Sequence, residues 1–440
     1  MKTVAVATLG CKVNQYESAA FLSCFAENGF ALVPVDTPAD IYVVNTCAVT
    51  AKAEAQSRQL IRRVQRANPG ARIVVTGCYA QIAPEIIRGL KTGPLSIVGN
   101  ANKHQVFEAA IATGSAAEYS PLNRDNAYFY DITAQKDISP LPVKRFTGRT
   151  RAFLKIQDGC NNFCSYCVVP YARGRSRSLA SDKVLLQARL FAEEGHREIV
   201  LTGIHVGDYG RDFTQPAGLL ALLKKLTAAT PQIRYRISSL EPTEISRDLL
   251  DFMGQTENCM PHLHIPLQSG SDFILKKMNR RYTAEQFSEL VNSCKKMIPW
   301  AAIGVDVLAG FPGEAEDDFR QTYELLEKLP VTYLHVFPYS KRPGTPAAKM
   351  KQQVPQKIKE ERVAALRKLD HKKRTAFYGN SIGRVHPVLV ESDKSNAGFS
   401  RGFTDNYIPV HFKAASDHGN RILPVRLESL QGRLVIGTLL

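Results

Sequence analysis

Apolar positions along the chain follow two periods, and their alternation divides it. Residues 1 to about 120 alternate short Val-rich runs with stretches of helical period. Thr3–Leu9, Ile41–Asn45 and Arg72–Thr76 are near-continuous apolar runs, as in strands buried on both faces of a parallel sheet. Ser18–Asn28, Ala51–Ala67, Pro84–Lys91 and His104–Thr113 carry the helical period, and Pro84 suits a first helical turn. This β-α-β-α order predicts a small doubly wound α/β domain over residues 1–120.

The pattern breaks over residues 121–145, where Pro121, Asp125, Asp137, Pro140 and Pro142 mark a linker. Tyr128, Phe129 and Tyr130 precede Lys144, Arg145, Arg149 and Arg151. Such interleaving suits stacked bases and phosphates, or an ordered linker packed between domains. Strand and helix then repeat over residues 146–345. The strands fall at Ala152–Ile156, Glu198–Thr202, Tyr235–Ser239, His262–Leu267, Gly304–Leu308 and Tyr333–Tyr339. Helices fall between them at Lys183–Glu194, Ala217–Ala228, Ile245–Met253, Ala284–Met297 and Ala315–Leu329. Six β/α units, short of eight, predict an open partial barrel with its site at the carboxyl ends of the strands. Residues 346–379 contain a long basic helix, Gln356–Phe377. Residues 380–440 hold short strands at Gly383–Glu391, Tyr407–Phe412, Ile422–Ser429 and Arg433–Gly437, which predict a small antiparallel barrel.

Composition adds compartment and partner. Of 440 residues 44% are hydrophobic and 22% charged, as in globular proteins. No apolar run approaches the ~20 residues of a membrane-spanning helix, so no membrane association is expected. The first residues run straight into a strand pattern, without signal-peptide architecture. A cytoplasmic location follows, and nine cysteines, an odd number, argue against a disulfide framework. The net charge is +16, and residues from Lys341 onward hold 19 Lys and Arg against 8 Asp and Glu. A basic domain is the electrostatic footprint of a nucleic-acid binder, or simply a solvated surface.

Candidate chemistry lies in six of the cysteines. Cys160, Cys164 and Cys167 form C-x3-C-x2-C in a loop after the first barrel strand. Thiolates are soft ligands that select zinc, Cu(I) or iron–sulfur clusters. A closed zinc site wants four ligands, and no fourth Cys or His follows nearby. Cys11, Cys47 and Cys78 each lie just past a predicted strand of the first domain. Carboxyl ends of parallel strands share one edge, so these three converge into a second candidate cluster site, with Gly10 and Gly77 allowing tight turns. Cys24, Cys259 and Cys294 read as core packing. Histidines 205, 262, 264 and 335 show no ligand spacing with acidic partners and read as packing or rim residues.

C-x3-C-x2-C after a first strand, with Tyr166 before the last Cys, resembles the radical S-adenosylmethionine (SAM) superfamily. With the separated triad before it and a basic domain after it, the whole chain is similar to the methylthiotransferase family. The resemblance implies two 4Fe–4S clusters and SAM, which together insert sulfur and a methyl group into an unactivated C–H bond. The family's branches act on adenosine 37 of tRNA carrying a threonylcarbamoyl or an isopentenyl group on N6, or on a ribosomal-protein side chain. Thr8–Ser18, Tyr171–Arg177 and Gly203–Gly210 look like the threonylcarbamoyl branch.

Several roles follow by the same resemblance. Cys160, Cys164 and Cys167 would hold the SAM-cleaving cluster, and Cys11, Cys47 and Cys78 the sulfur-carrying one. Tyr166, Gly203, Ser238, Ser239, Gly310 and Glu314 would cradle SAM. Arg173, Arg175, Arg177, Lys372, Lys373 and Arg374 are candidate RNA contacts, and residues 380–440 resemble the RNA-binding TRAM barrel. The partners implied are tRNA, an external electron donor and a sulfur source. A non-enzymatic iron–sulfur RNA binder or redox sensor is the remaining alternative. The C-terminal barrel is expected to be dispensable for SAM cleavage.

Overall fold

In the computed structural model, residues 1–90, 93–112, 129–139, 141–146, 148–391, 398–414 and 418–440 are described. Tyr128, with Pro121, Asp125 and Pro140 of the linker, lies outside them. Five parallel strands open the chain: β1 (Thr3–Thr8), β2 (Ala31–Leu32), β3 (Ile41–Thr46), β4 (Arg72–Gly77) and β5 (Leu95–Ile97). Their order is β2-β1-β3-β4-β5. Phe21, Phe25, Val106 and Ala109 cover one face, and Ile61 and Val64 the other, so the sheet is doubly wound as its apolar strands require. The short β2 and β5 carry too few alternating positions to stand out in the sequence.

The second region begins with β6 (Ala152–Lys155), followed by a two-stranded ribbon, β7 (Gln157–Asp158) and β8 (Arg177–Ser178). β9 (Glu198–Thr202), β10 (Arg234–Ile237), β11 (His262–Gln268), β12 (Ala302–Ala309) and β13 (Tyr333–Pro338) complete it. Sheets β10-β9-β6 and β11-β12-β13 are joined by single bridges at Tyr235–Cys259 and Ser239–His264, so the six parallel strands curve into one open barrel. The edge strand β13 would present unpaired backbone. The helix Gln356–Gly379 lies along it, and Asp370 accepts from the Leu334 N–H at 2.8 Å.

That docking divides one basic triplet. Lys373 donates to the Glu327 and Leu329 carbonyls at 2.7 and 2.6 Å, and Lys372 pairs with Glu327 at 3.1 Å. Arg374 pairs with Asp370 at 2.8 Å. Lys373 thus fastens the helix to the barrel, and Arg374, paired within its own helix, lies over the Tyr333 ring at 4.6 Å, so the expectation that these two meet RNA is corrected. Lys372 sits in an exposed pair and stays open to a ligand.

The C-terminal region is a closed five-stranded barrel in the order β14-β15-β16-β18-β17. The strands are β14 (Val385–Val390), β15 (Phe399–Thr404), β16 (Pro409–Lys413), β17 (Ile422–Gln431) and β18 (Leu434–Leu439). β15 has no apolar alternation, since its sequence is Phe-Ser-Arg-Gly-Phe-Thr, and only closure of the barrel makes it a strand. This barrel plugs the amino end of the larger one. The Arg236 guanidinium pairs with Glu198 at 2.8 Å and donates to the Asp405 carbonyl at 3.0 Å. Tyr407 stacks on Phe403 at 4.9 Å and packs tilted against His262 at 4.6 Å, while Arg236 and Arg151 lie over its ring at 4.9 and 5.3 Å. The C-terminal barrel therefore closes a buried polar layer of the core, so its removal would uncover that layer.

Replacing Tyr407 by Ala should destabilise the whole chain by roughly 2–3 kcal/mol, given one aromatic stack, two cation–π contacts and half-buried ring area. Denaturant unfolding followed at the core measures this. Unchanged core stability would show the two barrels to be uncoupled.

Candidate functional site

The first cysteine triad is assembled by turns at three neighbouring strand ends. Cys11, Cys47 and Cys78 follow β1, β3 and β4 directly or after a short turn. Asn14 ties two of these turns together, donating to the Leu9 and Thr46 carbonyls at 2.8 and 3.0 Å. Thr46 Oγ1 donates to the Thr76 carbonyl at 2.6 Å and ties in the third. Gly77 has φ +96°, and a Cβ there would stand 2.3 Å from the Thr46 carbonyl oxygen. A Cβ at Gly10 would stand 2.8 Å from Cys47 Sγ. Both turns are open only to glycine.

The second triad sits in the loop after β7. Its sulfurs meet donors already in place: Asn162 N–H to Cys160 Sγ at 3.4 Å, Val169 N–H to Cys167 Sγ at 3.4 Å, and an Arg280 N–H to Cys164 Sγ at 3.3 Å. Burial pushes the Cys47 thiol up to about 11 and the Cys167 thiol up to about 12. Such thiols become thiolates when a metal binds, because coordination deprotonates them outright. Soft sulfur donors, three per site, with amide and guanidinium donors aimed at sulfur, fit iron–sulfur clusters.

Arg173 joins the triads. Its side chain is 1% exposed and donates Nε–H to Cys78 Sγ at 3.3 Å. Other N–H groups reach Asp158 at 2.8 Å, Glu17 at 3.0 Å and Asn14 at 2.6 Å. Lys103 and Lys155 also pair with Glu17, and Lys155 with Asp158. Burial alone would raise the Glu17 and Asp158 carboxyls, but Arg173 first, then the lysines, hold both far below the usual range. Three buried cations thus face two buried carboxylates. The surplus positive charge lies against Cys78, where a thiolate-bound cluster carries negative charge. Next in the chain, the Gly174 carbonyl accepts the Cys160 N–H at 3.1 Å. One short segment thereby holds both triads.

This corrects two of the proposed RNA contacts. Arg173 is enclosed, and Arg177, 5% exposed, donates to the Arg173 carbonyl at 2.7 Å. Arg175 is exposed over the Phe163 ring at 4.8 Å and stays free to meet a ligand. A repeating arginine pattern in the sequence cannot distinguish the three. Alternation across a turn decides which side chain faces in.

The SAM candidates divide similarly. Gly203 lies against Gln157, whose Oε1 accepts from the Ile204 and His205 N–H groups at 3.0 and 2.7 Å. Ser238 and Ser239 follow β10 directly, Ser238 buried and Ser239 exposed. Tyr166 packs on Phe311 beside the second triad. Glu314 is buried and accepts from the Gly310 N–H at 2.6 Å and from Arg362 at 2.7 Å. Its carboxylate braces the loop against the long helix, so a direct ligand contact by Glu314 is corrected to a structural one. A concavity beside the second triad is lined by Asn162, His205, Glu241, Glu244 and Arg280 among others.

His205, His264 and His335 do have acidic partners, against the reading of the sequence. His205 lies 3.9 Å from Cys160 Sγ and pairs with Asp208 and Glu244 at 3.4 and 2.5 Å. Burial opposes its charge, but hydrogen bonds to Asp208, Cys160 and Glu244 push the imidazole up to about 12. His264 and His335 both lie against Asp306 Oδ1, at 2.8 and 3.5 Å. Strand register assembles this second group, and no spacing in the sequence signals it. Arg280 was missed as well, because the turn after the helix Asp272–Lys277 brings it to Cys164 from far along the chain.

Two family descriptions match the chain: "Uncharacterized protein family UPF0004" over residues 3–99 and "Radical SAM superfamily" over residues 154–326. The threonylcarbamoyladenosine tRNA methylthiotransferase MtaB of Bacillus subtilis is 40% identical over 97% of this chain and 94% of its own length. That of Aquifex aeolicus is 38% identical over 95% and 98%. A tRNA-2-methylthio-N(6)-dimethylallyladenosine synthase of Acetivibrio thermocellus is 33% identical over 99% and 91%. Among solved structures, the radical SAM methyltransferase TsrM of Kitasatospora setae, with cobalamin and a 4Fe–4S cluster bound, superposes with a TM-score of 0.54. It covers 79% of this chain and 77% of its own at 16% identity, a likeness of fold.

Arg173→Met should cost roughly 3–5 kcal/mol of stability, because it leaves buried carboxylates without their guanidinium. Denaturant unfolding of the cluster-free chain reads this directly. A loss below that of an ordinary surface substitution would show that the network does not carry the interface.

Proposed function

The chain belongs to the radical SAM methylthiotransferase family, and on that premise we propose that it transfers a methylthio group to C2 of N6-threonylcarbamoyladenosine at position 37 of tRNA. The observation that carries the reading is the Arg173–Gly174 segment, which touches Cys78 with one residue and Cys160 with the next. Methylthiolation needs radical generation and sulfur delivery at one substrate carbon, and one segment bonded to both cysteine sets supports that reading. When bound, SAM and the two clusters supply the radical, the sulfur and the methyl group.

The residues of the chain do the rest. Cys160, Cys164 and Cys167 hold the SAM-cleaving cluster, with the Asn162 and Val169 amides and Arg280 donating to their sulfurs. Cys11, Cys47 and Cys78 hold the sulfur-carrying cluster, whose negative charge the Arg173 network offsets. Charge-assisted donors of this kind are the strong ones. Gly203, Ser238, Ser239, Tyr166 and the backbone at Gly310 line the SAM side. Exposed Arg384, Lys413, Arg421, Arg426 and Arg433 of the C-terminal barrel meet tRNA phosphates, together with Arg175. Single-stranded loops are the usual targets of RNA readers, which suits an anticodon-loop base. An external reductant and a sulfur source complete the cycle. No described helix is long and apolar enough to cross a membrane, which is compatible with a cytoplasmic place beside tRNA.

Anaerobic reconstitution should load about eight irons, one cubane per triad, and Ala at Cys160, Cys164 and Cys167 together should remove half. Loading that stops near four under full reconstitution would sink the second cluster. For the substrate, reduced enzyme and SAM should be given a mixture of tRNA bearing threonylcarbamoyladenosine and tRNA bearing isopentenyladenosine. Nucleoside mass spectrometry should find the methylthio product on the first. Preferential conversion of the second would move this chain to the other branch.

A further inference from the structure

The cysteine triads leave one set of metal-ligand side chains unused. Among the described residues, His205, Asp208 and Glu244 form one such set, but His205 leans on Cys160 and belongs to the second triad. The other set is His264, Asp306 and His335, from three adjacent strands of the barrel. Strand register builds it. Asp306 stands opposite His335 on β13, and His264 on β11 lies one alternate pair away. Leu334 and Val336 belong to the apolar core, so Tyr333 and His335 take the other face of β13, toward the barrel's interior. Gly304, paired with both His264 and Tyr333, clears the level below, since a Cβ there would stand 2.1 Å from the Tyr333 ring. The Tyr333 hydroxyl crosses that gap and meets His262 at 2.8 Å and His264 Nδ1 at 3.2 Å. His264 is thus held by one ring nitrogen and presents the other to Asp306.

The presented atoms converge. His264 Nε2 and His335 Nδ1 lie 2.8 and 3.5 Å from the same oxygen, Asp306 Oδ1. All three atoms fall within 4.8 Å of one another. Ligands held about 2.1 Å from a tetrahedral zinc ion stand about 3.4 Å apart, and the two measured edges straddle that separation. A hydrogen-bonded brace accounts for His264 and Asp306, since one N–H to one carboxylate oxygen suffices. It does not account for His335, which is 48% exposed yet turned onto the oxygen that His264 already engages. Its 3.5 Å distance is beyond the ~3.2 Å end of an ordinary N–H···O bond. Burial opposes charge on Asp306, but its two imidazole neighbours hold the carboxyl well below the usual carboxylate range, so an anionic ligand is ready. Ligating histidines bond through their second nitrogen to an outer group, as His264 does to Tyr333.

We propose that His264, Asp306 and His335 bind one divalent first-row metal ion of the zinc class, separate from the two cysteine sites. Two imidazoles and one carboxylate suit such an ion, whereas calcium and magnesium want oxygen ligands throughout. Three protein ligands leave a fourth position. It opens on the exposed His335 side, where a water or an oxygen of a molecule inside the barrel can fill it. The inference does not depend on which nucleoside the chain modifies.

The test uses the reconstituted full chain, with both cysteine triads loaded. The protein is equilibrated with a slight excess of zinc chloride, desalted, and assayed for zinc and iron by plasma mass spectrometry. Zinc outranks ferrous iron at nitrogen and oxygen ligands, so it displaces iron left there by reconstitution. About one zinc per chain should remain. His335→Ala, at a half-exposed position, should lower retained zinc by roughly tenfold or more with cluster iron unchanged, because loss of even an outer-shell partner costs that much. Asp306→Asn should do the same. Zinc-edge X-ray absorption of the unsubstituted protein should show nitrogen and oxygen ligands and no sulfur, which separates this site from Cys24, Cys259 and Cys294. Zinc at background overturns the inference and leaves the trio a hydrogen-bonded brace. Zinc held through sulfur overturns it too, as does zinc fully retained in His335→Ala. Should Asp306→Asn fail to fold, His335→Ala and the zinc edge decide.

Discussion

A buried guanidinium governs how this protein is put together. Arg173 comes from the radical-SAM region, yet its partners Asn14, Glu17 and Cys78 belong to the first domain. A buried charge is tolerated only when its hydrogen bonds are met. Every contact in this network therefore holds a position: Asn14 keeps two cysteine turns together, Glu17 gathers two lysines, and Asp158 leads into the Cys160 loop. The interface between domains is thus electrostatic at its centre and sits against a cysteine sulfur. The two cysteine sites are parts of one structural unit.

The other end of the barrel obeys a related constraint. Its inward face is polar at several levels, with Glu198, Arg236, His262, Tyr333 and His264 stacked from the amino end toward the middle. Such a layer has to be closed off from water, and the turn carrying Asp405 and Tyr407 does so. The C-terminal barrel keeps its arginines outward and exposed, while its inner turn completes the core. The long helix Gln356–Gly379 covers β13 between them, and its Lys373 is engaged in holding it there.

Positive charge is accordingly sorted by tertiary position. Arg173 and Arg177 are structural, Lys373 and Arg374 hold the long helix against the barrel, and Lys372, Arg175 and the barrel arginines remain exposed. A high net charge read along the chain merges these roles, although each has different energetics. Exposed pairs are worth little, whereas buried ones decide whether domains dock.

Much of this molecule was legible from its residues alone. Six barrel strands, the doubly wound first domain and both cysteine triads follow from local period and from the rule that parallel strands end on one edge. Those signals are local or depend on topology that repeats. β15 was not legible, because its residues have no strand period and pair only when the barrel closes. The burial of Arg173, the bracing role of Glu314 and the His264–Asp306–His335 group were equally hidden. Each depends on which side chains meet across strands or domains far apart in sequence, and hydrogen-bonding and charge neutralisation in a water-poor interior choose those partners. The chain's sequence determined its elements and the kind of chemistry its cysteines support. Tertiary packing decided which charges are consumed by the fold and which remain to meet a substrate, because burial is a property of the assembled interior and not of the residue.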